Sequence, residues 1–136
     1  MHEVKVHFDS QGIEYKDYGT YTPDNCDYPE IAVRAARAIS EGECASGIFI
    51  CGTGIGMSIA ANKIPGIRAA HCTDSYTAEL TRRHNDANVL VLGARITGVS
   101  LAMKIVEIFL NTTFDGGRHS RRVAMLDELD NQRIRD

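Results

Sequence analysis

The sequence predicts an α/β protein, a three-layer α/β/α Rossmann-like domain built on a parallel sheet, and three observations carry that expectation. Short apolar runs at Gly47 to Cys51, Ile67 to Cys72 and Val89 to Leu92 alternate with stretches of helical spacing, the order of parallel strands joined by crossover helices. Val89-Leu90-Val91-Leu92 is apolar on both sides, as a strand covered by helices on both faces must be. Gly52, Gly54 and Gly56 follow the first run at alternate positions and lead into a small-residue helical pattern, so this stretch reads as buried strand, glycine loop, helix. Right-handed crossovers follow from the arrangement.

At the start of the chain, Val4, Val6 and Phe8 alternate with Lys5 and His7 as in a strand. The same residues followed by Gly12 also fit a helix with its C-terminal glycine. Ile13 to Tyr18 alternates apolar and polar residues after Gly12, which predicts a strand running into a loop over residues 19–25. Asp27-Tyr28-Pro29-Glu30 is a helix start, with Asp27 as cap and Pro29 in the first turn; Ile31, Ala35, Ala38 and Ile39 form its apolar stripe, ending near Gly42. Asn62 to Gly66 is a turn, and Ile67 to Cys72 resumes as a short strand. Thr73-Asp74-Ser75 caps a helix on which Tyr76, Leu80 and His84 share one face, so His84 falls at its C-terminus. Gly93 ends the strand that begins at Val89. Gly98 to Asn111 is a helix with two apolar stripes, Leu101, Ile105, Ile108, Phe109 and Met103, Val106, Leu110, a wider arc than one sheet face requires; it predicts a subunit interface. Gly116-Gly117-Arg118-His119-Ser120-Arg121-Arg122 opens a polar C-terminal helix, and there are no internal repeats.

With 136 residues and 43% hydrophobic content, residues 1–136 form one domain with a proper core. Fifteen basic against 18 acidic residues leave a net charge of −3, which points away from nucleic acid or an anionic membrane as the main partner. No apolar segment approaches the roughly 20 residues of a membrane span, and Glu3, Lys5, His7 and Asp9 interrupt any signal-peptide core, so the expected location is cytoplasmic. Cys26, Cys44, Cys51 and Cys72 lack the spacing of a zinc site, and a chain of this size needs no disulfides. Cys26, Cys44 and Cys72 read as small buried hydrophobes.

Cys51 differs, because closing a strand of a parallel sheet puts it at the carboxyl edge, where open α/β sheets bind ligands. The glycine loop beside it is neither a GxGxxG fingerprint nor a Walker loop, so NAD and ATP are not implied. Two readings stand: a structural strand-to-helix turn with a buried cysteine, or backbone donors beside a thiol, suited to a small oxyanion or enediolate. Other polar groups expected on the same sheet edge are His84-Asn85-Asp86, Arg95 directly after the strand from Val89, and the cluster Arg118, His119, Arg121, Arg122. Such a cluster is either a solvated helix start or a fork of guanidiniums for a phosphate monoester.

Three motifs in order, Cys51-Gly52-Thr53-Gly54-Ile55-Gly56-Met57-Ser58-Ile59-Ala60-Ala61-Asn62-Lys63, Arg82-Arg83-His84-Asn85-Asp86-Ala87-Asn88-Val89-Leu90 and Gly116-Gly117-Arg118-His119-Ser120-Arg121-Arg122-Val123, closely resemble the type B ribose-5-phosphate isomerase family, which includes galactose-6-phosphate isomerases. Asp27-Tyr28-Pro29 matches as well, and the likeness covers nearly the whole chain. The resemblance implies a metal-independent, cofactor-free aldose–ketose isomerase that interconverts ribose 5-phosphate and ribulose 5-phosphate of the pentose phosphate pathway through an enediolate. It implies Cys51 as base and Thr53 as its assistant, and Met57 supports Cys51, since relatives lacking the cysteine carry a glutamate at that position. The backbone of Gly52, Gly54, Ile55 and Gly56 would stabilise the enediolate oxygen. His84 would open the furanose ring with Asn85 beside it, Arg95, Arg118 and Arg122 would hold the phosphate, and Tyr28 would line the pocket. Sites formed between two subunits imply a homodimer or dimer of dimers, with residues 116–136 packing at the interface.

The resemblance also implies a first strand ending in an Asp-His pair, ahead of the helix that Glu3 to Gln11 resembles. Within a 2-1-3-4-5 sheet order five strands are expected where four are evident, and a gap should open beside the strand at Gly47. Two alternatives accompany the pentose reading: a hexose 6-phosphate isomerase acting on galactose or allose 6-phosphate, and a non-catalytic sugar-phosphate-binding subunit.

Overall fold

The computed structural model describes residues 1–20 and 24–135, so residues 21–23 of the expected 19–25 loop lie outside the described residues. In chain order the elements are α1 (His2–Gln11), α2 (Tyr28–Ser40), β1 (Gly47–Cys51), α3 (Ile55–Ala61), β2 (Ala69–His71), α4 (Ser75–Asn85), β3 (Val89–Gly93), α5 (Val99–Asn111) and α6 (Arg118–Arg135). The three strands form a parallel sheet in the order β1-β3-β2.

That order corrects the one expected. A 2-1-3-4-5 arrangement would place β2 beside β1, whereas β3 lies between them. The reason is burial: every residue of β3 is buried, so β3 takes the central place with a neighbour on each side, and the short, half-buried β2 takes an edge. The period of two along β3 then divides the core. Leu90 and Leu92 face a cluster with Val4, Ala78, Ile105, Val106 and Phe109 from α1, α4 and α5. Val89 and Val91 face a second cluster with Ala32, Ala36, Ile39, Met57 and Ala61 from α2 and α3. Each aliphatic side chain buried this way contributes about 1.5–3 kcal/mol relative to exposure.

Residues 2–11 are helical, with Gly12 in the left-handed conformation at φ 66° closing α1. Ile13 to Tyr18 forms no strand. Alternation marks a strand only where a neighbour completes the ladder, and here the side chains are tied elsewhere. Tyr15 packs on Phe8, Lys16 and Tyr18 bond Glu43, and Asp17 pairs with Lys5. Among the described residues, three strands are thus observed in place of four, and the edge of β1 away from β3 has no ladder partner. The wide apolar arc of α5 is largely used within the chain, where α1 and α4 pack on it and Met103, Ile108 and Leu110 join the core; Leu101 stays exposed. Cys72 is buried as expected, while Cys44 is half-buried and Cys26 exposed, because Cys26 lies in the segment before α2 rather than on a packed face.

Candidate active site

The carboxyl edge of the sheet carries the first group of site residues. Cys51 is the last residue of β1, in register with Gly93 at the end of β3. Gly54 then adopts φ 85°, a left-handed turn that only glycine takes without strain, and this aims its N–H at the sulfur: Gly54 N–H donates to Cys51 Sγ over 3.2 Å. The next amide, Ile55 N–H, donates to Thr53 Oγ1 at 3.3 Å. This contact fixes the sulfur at the mouth of the glycine loop. Tyr28, at the start of α2, lays its ring on Gly56 so closely that a Cβ there would fall 2.5 Å from Cζ. Arg95, two residues past β3, extends over Gly52 and hydrogen-bonds Gly52 O through its own backbone N–H at 2.9 Å.

His71, which the sequence did not single out, belongs to this group. It ends β2, and the ring touches Gly54, where a Cβ would meet it at 2.8 Å. The Nε2 atom is buried without a partner among the described residues. Strand alternation was the available signal, because residues 69, 71, 89, 91 and 51 all share the α2–α3 face.

His84 does not join them, which corrects the expectation of one common edge. It lies in the last turn of α4, which ends at Asp86 in the left-handed conformation (φ 46°) just before β3 begins. It therefore lies at the amino edge, and Cys51 at the carboxyl edge, with the length of β3 between them: about 13 Å, from four steps of roughly 3.3 Å.

The basic cluster accompanies His84. Asp115 N–H bonds Arg83 O at 3.0 Å, and Arg83 Nε reaches the Asp115 carboxylate at 3.1 and 3.2 Å, so the segment before α6 is pinned to the last turn of α4. Gly116 and Gly117, with φ 67° and 56°, turn the chain into α6. This brings the His119 ring face to face with His84, centroids 4.1 Å apart and planes 9° from parallel. Burial, followed by His84 and Arg118, holds the His119 imidazole below the ordinary histidine range. The donors of His84, Asp115 and His119 lie within 4.8 Å of one another. As a metal centre the arrangement is poor, since ligand lone pairs lie in the ring planes and two near-parallel planes do not converge on one ion.

Asn85 is exposed beside His84, and Arg68 Nε reaches the carbonyls of Asn85 and Asp86, each at 3.1 Å, while Arg68 Nη1 bonds Asp127 of α6 at 3.0 Å. Arg118 and Arg122 are exposed on the first turns of α6. They and Arg95 make no ion pair among the described residues, which leaves three cations available to an anionic ligand.

The chain as a whole is similar to known proteins. The profile of the family described as Ribose/Galactose Isomerase matches residues 1–126. Ribose-5-phosphate isomerase B of Escherichia coli is 46% identical over 132 residues, 97% of this chain and 89% of that protein. D-erythrulose-4-phosphate isomerase of Pectobacterium atrosepticum is 41% identical over 131 residues, 95% of this chain and 86% of its own. The solved structure of Clostridium thermocellum ribose-5-phosphate isomerase B superposes with a TM-score of 0.94 at 48% identity, covering 96% of this chain and 88% of that one.

Proposed function

The chain belongs to the ribose/galactose isomerase family, and from that premise we propose that it interconverts ribose 5-phosphate and ribulose 5-phosphate, with each active site shared by two copies of the chain. The observation that carries the second half is the separation of Cys51 from His84 by the length of β3. One copy contributes the carboxyl edge, with Cys51, Thr53, the glycine loop, Tyr28 and Arg95. The second contributes the amino edge, with His84, Asn85, Arg118 and Arg122. Residues 1–136 act as one domain, and α6 packs at the interface, in keeping with its exposed Met125, Leu126 and Leu129.

The chemistry follows from the groups. His84 takes the proton of the anomeric hydroxyl and returns one to the ring oxygen, which frees the aldehyde. The Cys51 thiolate removes the C2 proton, and the electron pair of that C–H bond becomes the C1–C2 double bond of an enediolate. The thiol returns the proton to C1, while the O2 proton passes to O1, assisted by Thr53. Arg95, Arg118 and Arg122 hold the phosphate dianion through charge-assisted bonds. No helix among the described residues is long and apolar enough to cross a membrane, and we assign the enzyme to the cytoplasm with this pathway.

A second reading concerns chain length of the sugar. The family description covers galactose, and one relative is named for a four-carbon substrate. Rates on four-, five- and six-carbon aldose phosphates, measured side by side, order the three.

Mixing two inactive variants tests the shared site. Cys51→Ala and His84→Ala each lose turnover of ribose 5-phosphate alone. After subunit exchange, half of the heterodimers' sites are intact, and activity returns toward about half of the parent rate per heterodimer. If the mixture stays as inactive as its components under conditions where exchange is demonstrated by mass, the site is not shared.

A further inference from the structure

We propose that His119 is a positioning residue for ring opening, fixing the His84 imidazole by face-to-face stacking. The inference rests on the ring-opening role given to His84. His84 is half-buried at the end of α4, and neither of its nitrogens has a hydrogen-bond partner among the described residues. The χ2 torsion of histidine is broad, so an imidazole without such a partner turns freely unless a neighbour covers its face. His119 covers it, at 4.1 Å and 9°.

His119 can act as a fixed wall because it is itself immobilised. It is 8% exposed, its N–H bonds Gly116 O at 3.1 Å, and the preceding Asp115 is tied to Arg83 through both backbone and carboxylate. Stacking blocks rotation of His84 yet leaves the ring edges, where the nitrogens exchange protons, open to a sugar. The groups facing His119 are His84, Arg118, Asp115 and Arg122. A stacked partner that stays neutral among them does not oppose the charge His84 gains when it accepts the anomeric proton.

Ribulose 5-phosphate provides the control, because its C5 oxygen is esterified and no furanose can form on a C2 ketone. Exchange of the C1 proton of ribulose 5-phosphate with D2O needs only the Cys51 step, whereas conversion of ribose 5-phosphate also needs ring opening. His119→Ala lowers kcat/KM on ribose 5-phosphate by roughly tenfold to a hundredfold and leaves deuterium uptake at C1 of ribulose 5-phosphate within about twofold. His119→Phe restores a flat stacking face and recovers most of the loss, which neither a hydrogen-bonding role nor a phosphate-binding role of His119 would allow. Unchanged deuterium uptake by ribulose 5-phosphate also reports that each variant is folded. Equal losses in the two readouts, failure of Phe to improve on Ala, or a parental rate for Ala each overturn the proposal. His84→Ala, measured in parallel, separates the two layers: if it lacks the same selectivity, the ring-opening role falls and this inference with it. If it is selective and His119→Ala is not, only the positioning role falls.

Discussion

The Gly54 N–H donates to Cys51 Sγ over 3.2 Å, which makes the left-handed turn and the thiol a single unit. Cys51→Ala is expected to lower exchange of the C2 proton with solvent by roughly 10³-fold or more and to leave the melting temperature near the parent's, since it removes the base but only one small, half-buried side chain. Gly54→Ala attacks the same unit from the backbone. A Cβ there forces a side chain into φ 85° and into contact with His71 at 2.8 Å and the Leu92 carbonyl carbon at 3.1 Å. Loss of about 1–3 kcal/mol in urea unfolding is expected, together with lower kcat on ribose 5-phosphate as the amide moves off the sulfur. A parental kcat in Gly54→Ala would show that the turn does not position the thiol.

Arg118→Ala and Arg122→Ala should act on binding. Both side chains are exposed and free of ion pairs among the described residues, so neither is needed for folding. Each charge-assisted bond to a phosphate is worth about 1.5–3 kcal/mol, so KM rises by roughly tenfold or more and inorganic phosphate inhibits correspondingly less. A change confined to kcat, with phosphate inhibition intact, would remove both residues from the phosphate site.

How far the sequence alone reaches can be judged from where it succeeds. Local signals read correctly: Gly12 closes α1, Asp74 accepts Thr77 N–H as the cap of α4, and the stretch from Gly47 through the glycine loop into α3 needs only residues adjacent in the chain. Non-local relations read poorly. The alternation of Ile13 to Tyr18 is the same whether a neighbouring strand exists or Phe8 and Glu43 take up the side chains. The middle position of β3 depends on a pairing of residues some forty apart. The expectation of His84 on the edge that carries Cys51 fails because a strand and the helix that returns from the sheet end at opposite edges. The His84–His119 stack could not be read from spacing, since Arg83 and Asp115 create it through the fold.

Acid sensitivity follows from His119. Its imidazole titrates below the ordinary histidine value of 6.5 in the folded protein, chiefly because of burial and then of His84. Between that lowered value and 6.5 the unfolded chain binds more protons than the folded one, so stability rises with pH through this window and is complete above it. Acidification therefore removes stability as pH falls from 6.5 toward the folded value. His119→Phe lacks the titrating group, and its melting temperature should fall less than the parent's between pH 7.5 and 5. Parallel melting curves for the two proteins would contradict the assignment.

Arg68 provides the last test, because one guanidinium joins three elements. Its Nε serves the carbonyls of Asn85 and Asp86 at the end of α4, its Nη1 holds Asp127 of α6 at 3.0 Å, and its own backbone starts the segment that becomes β2. Its side chain is 20% exposed against 51% for Asp127, so the α6 contact is partly screened, while the bond to Asp86 O is part-buried. Arg68→Met keeps the apolar stem and deletes every donor, leaving the two carbonyls of the His84 turn without this partner. A loss of about 1–3 kcal/mol is expected, with lower kcat/KM on ribose 5-phosphate as the turn loosens. Asp127→Asn removes only the exposed partner and should cost less than about 1 kcal/mol. If Asp127→Asn proves as damaging as Arg68→Met, the attachment of α6, rather than the bracing of the His84 turn, is what Arg68 contributes.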